Sequence, residues 1–236
     1  MTCDPRLIVA LDHSDSEDAR RLVETLDERV NFYKVGLMLL ARGDGVALSH
    51  ALRSAGKSVF QDWKLHDIGA QVQAAAAGVA EGGCDLLTVH GEPQVMRAAA
   101  AGVEGRSTKV IAVTVLTSLS NENLVEIGYG LSAAELVERR VRQALECGMA
   151  GVVSSPLEAA QARALADAAG RRDFLVVTPG VRPAGAAVND QARIATPAAA
   201  LSAGASHLVI GRPITAAPDP REAAARIIEE MMGVDA

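Results

Sequence analysis

The stretch FQDWKLHDIG (residues 60–69) continues an apolar run that begins at Ser58 and then delivers three charges, Asp62, Lys64 and Asp67, within six residues. Side chains two apart on a strand share a face, so Asp62 and Lys64 are expected to project together from the end of one strand. A charged pair at a strand end, followed at once by a helical pattern, is what a barrel strand looks like where it emerges at the mouth.

Seven further short β-branched runs bracket this one. They are LIVALD (7–12), FYKVG (32–36), LLTVH (to His90), VIAVTVL (110–116), GVVSS (151–155), FLVVTPG (174–180) and HLVIGR (207–212). Helical patterns lie between them, such as DSEDARRLVETLDERV with acidic residues in its opening turn, and SAAELVERRVRQALECG, which starts at Ser132 and stops at Gly148. Eight alternating strand and helix units with no break in composition predict an α/β fold, a single (β/α)8 TIM barrel over residues 1–236. An open doubly wound sheet would more usually carry six strands.

The composition agrees with that architecture. Hydrophobic residues make up 49% of the 236, yet aromatics only 3%, so the core must be built from Ala, Val, Leu and Ile, as suits parallel strands under Ala-rich helices. The formal net charge of −6 speaks against nucleic acid or an anionic membrane surface as partner, while leaving room for a small anion held by local cations. Cys3, Cys84 and Cys147 lack metal-knuckle or redox spacing and read as idle thiols of a reducing compartment. The start, MTCDPRLIVALD, has no signal-peptide pattern, so a cytoplasmic location is expected.

Chemistry in such barrels sits at the carboxyl ends of the strands. Those ends supply Asp12, Lys34, Asp62 with Lys64, His90, Thr117, Ser155, Arg182, and Gly211 with Arg212. Any one of them alone reads as a solvated or salt-bridged group, but the whole ring is costly unless used. A lysine flanked by carboxylates keeps its proton, so the Lys34, Asp62 and Lys64 row points to acid catalysis rather than to a Schiff base. Gly211 and Arg212 after strand eight, with Arg182 after strand seven, occupy the usual phosphate position, where Gly admits a close approach and Arg offers a forked donor. His90 reads as a hydrogen-bonded structural residue, Met38, Trp63 and Met96 as core or wall, and LVERRVRQALE as a solvated helix face. The 117–131 connection and VRPAGAAVNDQAR are long enough to be functional, and the second is a candidate lid.

DWKLHDIG resembles the DxKxxDI signature of the orotidine 5'-phosphate decarboxylase family, and the resemblance continues in order through VALD, FYKVG, VTVLTS, TPGVRP, NDQ and VIGRP. It implies conversion of orotidine 5'-monophosphate to UMP, the last step of pyrimidine nucleotide synthesis, with no metal or organic cofactor. It implies that Lys34, Asp62 and Lys64 form the charged network, that Lys64 donates the proton to C6, and that Asp67 enters from the other subunit of a homodimer. Asp12 would bind the ribose, Thr117 would lie in the nucleotide site and Ser155 would meet the pyrimidine edge. Arg182, Gln191, Gly211 and Arg212 would hold the phosphate under the closing 182–193 loop.

The chain departs from the family at DIGAQ, where relatives read DIPNT: Gly69 and Ala70 loosen a turn that Pro would stiffen, and Gln71 stands for a Thr that reaches the neighbouring ribose. Gly91 and Ser154 replace a common Ala and Cys. One rival is the related 3-keto-L-gulonate 6-phosphate decarboxylase, which shares the D-x-K-x-x-D string but uses Mg2+ and is typically acidic at the position of Lys34, where a lysine would repel the cation. The other is a nucleotide-binding regulatory barrel that has lost catalysis, disfavoured by an intact charged row.

Overall fold

The computed structural model describes residues 3–183 and 195–233. Eight parallel strands close into a barrel in sequence order: β1 Leu7–Leu11, β2 Phe32–Val35, β3 Ser58–Leu65, β4 Leu86–His90, β5 Lys109–Val113, β6 Gly151–Val153, β7 Leu175–Pro179 and β8 His207–Ile210. Closure is made by β1 on β8, with Leu7 opposite Leu208 and Val9 opposite Ile210. The helices outside are α1 Ser16–Leu26, α2 Leu37–Ala41, α3 Asp44–Ser54, α4 Gly69–Glu81, α5 Pro93–Gly102, α6 Asn121–Ile127, α7 Ala133–Glu146, α8 Ala159–Ala168, α9 Pro197–Ser202, α10 Arg212–Thr215 and α11 Pro220–Met232.

Local chemistry sets the helix starts. The Asp15 side chain accepts from the Glu17 N–H before α1, Thr196 from Ala199 before α9, and Asp219 from Glu222 before α11, whose first residue is Pro220. Such caps satisfy amide donors that no turn of helix can reach, and proline at the first position gives up an N–H that would be orphaned anyway. Ser132 and Glu135 form a reciprocal capping box at α7, where the sequence places the helix start. Within the long 117–131 connection, Ser120 and Asn123 form a second capping box and start the two-turn helix α6. Gly69, Ala70 and Gln71 form the first turn of α4.

Alternate strand residues face two cores. One set packs outward beneath the helices, where small residues such as Ala76 of α4 and Ala99 of α5, both wholly buried, allow close approach. The other set fills the barrel: Ile8, Ala10, Phe32, Phe60, Leu86, Ile111, Val177 and Val209, with Val153 and Leu175 packed against them. Such interior layers make the barrel a packed core rather than a pore. Among the described residues no helix is long and apolar enough to cross a membrane.

Candidate active site

Following the inward face up three adjacent strands leads from that apolar fill into charge. Two residues beyond Ala10 lies Asp12, beyond Phe32 lies Lys34, and beyond Phe60 lies Asp62. Lys34 Nζ donates to Asp12 Oδ1 at 3.0 Å and lies 3.4 Å from Asp62 Oδ2. Lys64 Nζ contacts the same Asp62 oxygen at 2.8 Å, giving an alternating row Asp12, Lys34, Asp62, Lys64. Asp12 and Lys64 are the more exposed ends, whereas Lys34 and Asp62 are buried. Gly36 keeps the space open, because a Cβ there would stand 2.9 Å from both Asp12 Oδ1 and Lys34 Nζ.

Lys64 does not reach Asp62 by simple alternation. Its φ is +51°, and the pairing of β3 with β4 shifts register between Gln61 and Leu65. A bulge of this kind re-aims a side chain, and a left-handed lysine costs roughly 1 kcal/mol or more unless its surroundings hold it. Thr88 of β4, wholly buried, is the brace: its Oγ accepts the Lys64 backbone N–H at 3.0 Å and donates to Asp62 Oδ1 at 2.8 Å. Nothing in the sequence reading singled out Thr88, although its inward parity two residues after Leu86 was the available signal.

The row fixes protonation at its buried centre. Burial works against both ions, but the Asp62 and Asp12 carboxylates more than offset this for Lys34 and hold its pKa above the ordinary lysine value. For Asp62, burial raises the pKa, while Lys34, Lys64 and the Thr88 hydroxyl bring it below the ordinary carboxylate value. Both groups are therefore charged at neutral pH. Such a row presents a fixed cation, with an acceptor-only carboxylate beside it, to whatever fills the space above.

That space is a cavity of about 650 Å³ at the barrel mouth. Its lining combines Asp12, Lys34, Asp62 and Lys64 with apolar Phe60, Val113, Val153 and Val209 and with Thr117, Arg182, Gly211 and Arg212. Met38, read as core or wall, is 51% exposed on its rim. Arg182 is buried, its backbone N–H bonds to Ala195 O and its guanidinium donates to Val181 O. Arg212 opens α10 directly after Gly211. The volume suits a drug-sized or nucleotide-sized ligand with an anionic end.

Other expected residues fall elsewhere. Ser155 is buried and absent from the cavity lining; its hydroxyl donates to the Glu158 carboxylate, also buried, an interaction the sequence reading missed. Asp67 and Gln71 are exposed and do not line the cavity of their own chain, and the Asp67 carboxylate accepts the Ile68 N–H at 2.6 Å. Gln191 and most of the 182–193 loop lie outside the described residues. The solvated-face reading of α7 is corrected at Arg140, which is buried and bonds Glu92 Oε1 at 2.7 Å and the Tyr129 hydroxyl at 2.8 Å. His90, read as a hydrogen-bonded residue, instead stacks with His66 at a ring distance of 4.9 Å.

The chain is similar along nearly its whole length to known proteins. Residues 5–227 match the profile of the orotidine 5'-phosphate decarboxylase / HUMPS family. The chain is 62% identical over 234 residues to orotidine 5'-phosphate decarboxylase of Caulobacter vibrioides, covering 99% of this chain and 100% of that protein. It is 50% identical over 226 residues to the enzyme of the same name from Afipia carboxidovorans, covering 96% and 94%. The crystal structure of orotidine 5'-phosphate decarboxylase from Lactobacillus acidophilus superposes with a TM-score of 0.82 at 34% identity, over 97% of this chain and 99% of that one.

Proposed function

The chain belongs to the orotidine 5'-phosphate decarboxylase / HUMPS family and is an orotidine-5'-phosphate decarboxylase by full-length likeness, and on that premise we propose how its charged row does the chemistry. The substrate is orotidine 5'-monophosphate and the product UMP, which makes the reaction the closing step of pyrimidine nucleotide synthesis. The chemistry proceeds without metal or organic cofactor. The observation that carries this reading is the Lys64 ammonium 2.8 Å from a buried Asp62 in the lining of a nucleotide-sized cavity.

Loss of CO2 breaks the bond between C6 and its carboxylate and leaves the electron pair on C6, where the ring offers no ordinary electron sink. A preorganised cation is the device that lowers the energy of such a centre. Lys64 stabilises the developing carbanion and transfers an Nζ proton to it, and its amine regains a proton from solvent. Asp62 stands beside the departing carboxylate, so repulsion between the two is relieved as CO2 leaves. Lys34 holds Asp62 ionised and, with Asp12, meets the ribose. Thr117 lies along the nucleotide, and Arg182, Gln191, Gly211 and Arg212 take the phosphate. Binding energy from that remote phosphate holds the reacting end in place.

The working unit is a homodimer in the cytoplasm, in which Asp67 and Gln71 serve the neighbouring site. Their exposure, next to an Ile68 that is 65% exposed, supports a face made for a second copy. Mixing Lys64→Ala with Asp67→Ala chains then restores one intact site per mixed dimer, whereas an active monomer in light scattering contradicts sharing. The reaction itself is tested by turnover of orotidine 5'-monophosphate in excess chelator, with UMP identified as product. Binding of UMP without turnover would instead favour a regulatory barrel, and activity only on keto-sugar phosphates with Mg2+ the related decarboxylase.

A further inference from the structure

At the ends of β3 and β4 lies a second cluster that the decarboxylation does not use. His66 follows β3, His90 ends β4 and Glu92 caps α5 through its backbone alone, with no hydrogen bond from its side chain to the helix. The potential ligand atoms of these three residues all lie within 4.8 Å of one another. We propose that His66, His90 and Glu92 form a binding site for a divalent ion of the Zn2+, Co2+ or Ni2+ type, with water completing its coordination.

Three observations converge on an ion rather than on an accidental surface group. The Glu92 carboxylate is split between two environments: Oε1 is held by Arg140 at 2.7 Å, while Oε2 is buried without a hydrogen-bond partner and has His66 Nε2 at 3.6 Å. A ligating carboxylate is commonly oriented in this way by a donor on its other oxygen. Arg140 is itself fixed by the Tyr129 hydroxyl and the Thr114 carbonyl, so the free oxygen is aimed rather than wandering.

Next, the backbone between His90 and Glu92 is closely packed: a Cβ on Gly91 would stand 2.8 Å from Val113 O and 3.1 Å from Arg140 Cδ. Finally, the two imidazoles face each other with ring centres 4.9 Å apart and planes tilted by 33°, which brings two nitrogen donors to the one carboxylate. A neutral imidazole is the form that binds metal. Two nitrogens and one carboxylate oxygen form a donor set that favours borderline ions over Mg2+. Ligands on one ion sit about 3.5 Å apart at bond lengths near 2.1 Å, a separation that His66 Nε2 and Glu92 Oε2 nearly have at 3.6 Å.

An ion held there would tie the segment carrying Lys64 and Asp67 to the β4–α5 junction. The test uses the full chain, freed of any affinity tag and stripped with chelator, titrated with Co2+ and read by its visible absorption, then with Zn2+ in competition with a chromogenic indicator. About one ion per chain is expected, with affinity reduced by ~10-fold or more in His66→Ala and in His90→Ala. Zn2+ should also raise the thermal midpoint of the parent and not of His66→Ala, as for any ligand that binds the folded chain alone. His66 is exposed enough that its replacement leaves the fold intact, which guards against a trivial loss. Absence of binding, or binding of equal strength in both variants, overturns the site.

Discussion

On the first three strands the inward positions change character within two residues: Ala10, Phe32 and Phe60 belong to the apolar fill, and Asp12, Lys34 and Asp62 above them form the charged row. The lower layer is bound by close packing, in which any side chain of the right shape serves. The upper layer is bound by complementary charge, in which each group is stable only because its neighbour is present. One scaffold thus separates what keeps the barrel folded from what makes it react, and the boundary runs through single strands rather than between domains.

The sharpest way to break this contrast is Asp62→Ala, which leaves Lys34 and Lys64 sharing a site with no anion between them. Turnover is expected to fall by ~1,000-fold or more, and chemical denaturation to show a loss of about 3–5 kcal/mol, as when one partner of a buried pair is removed. In the lower layer, Ile111→Ala is expected to cost about 2–5 kcal/mol through the cavity it leaves, with kcat per folded molecule unchanged. If Ile111→Ala abolished turnover at full folding, the two layers would not be separable.

A pH experiment probes the same boundary from below. His207 at the foot of β8 packs edge-on against Phe32, and burial, with Lys109 and Arg6 adding to it, pushes its pKa down to about 4. The folded value lies below the ordinary 6.5, so the unfolded chain takes up the proton first. The stability His207 contributes is therefore complete above about pH 6.5 and is lost as pH falls toward 4, up to roughly 3 kcal/mol in all. Denaturation midpoints measured across that window should flatten in His207→Gln; an unchanged slope would reject the assignment. The smallest effect is expected at Arg212, where Arg212→Ala should raise KM for a phosphorylated substrate by ~10–100-fold with little change in stability, in line with loss of one charge-assisted hydrogen bond.

Much of the fold was legible because inward parity, helix caps and strand ends are local properties. LIVALD, FYKVG and SVFQDWK show the apolar-to-charged transition directly, and Ser132 with Glu135 marks a helix start in four residues. Features that depend on a distant partner were not legible. The left-handed turn at Lys64 needs the Thr88 hydroxyl, 24 positions away, and Arg140 is buried only because Glu92, 48 positions away, meets it. The helix at Asn121–Ile127 was hidden for another reason: at seven residues it is too short to build a periodic pattern, leaving only its capping box as a sign.

The most direct test of the central claim is Lys64→Ala, assayed with orotidine 5'-monophosphate beside the parent in excess chelator, with UMP binding measured on the same preparations. The account predicts a loss of kcat of ~1,000-fold or more while UMP still binds within about tenfold of the parent, since the lost group acts on the developing carbanion rather than on the phosphate. Turnover within tenfold of the parent would contradict it and remove Lys64 from the role of proton donor.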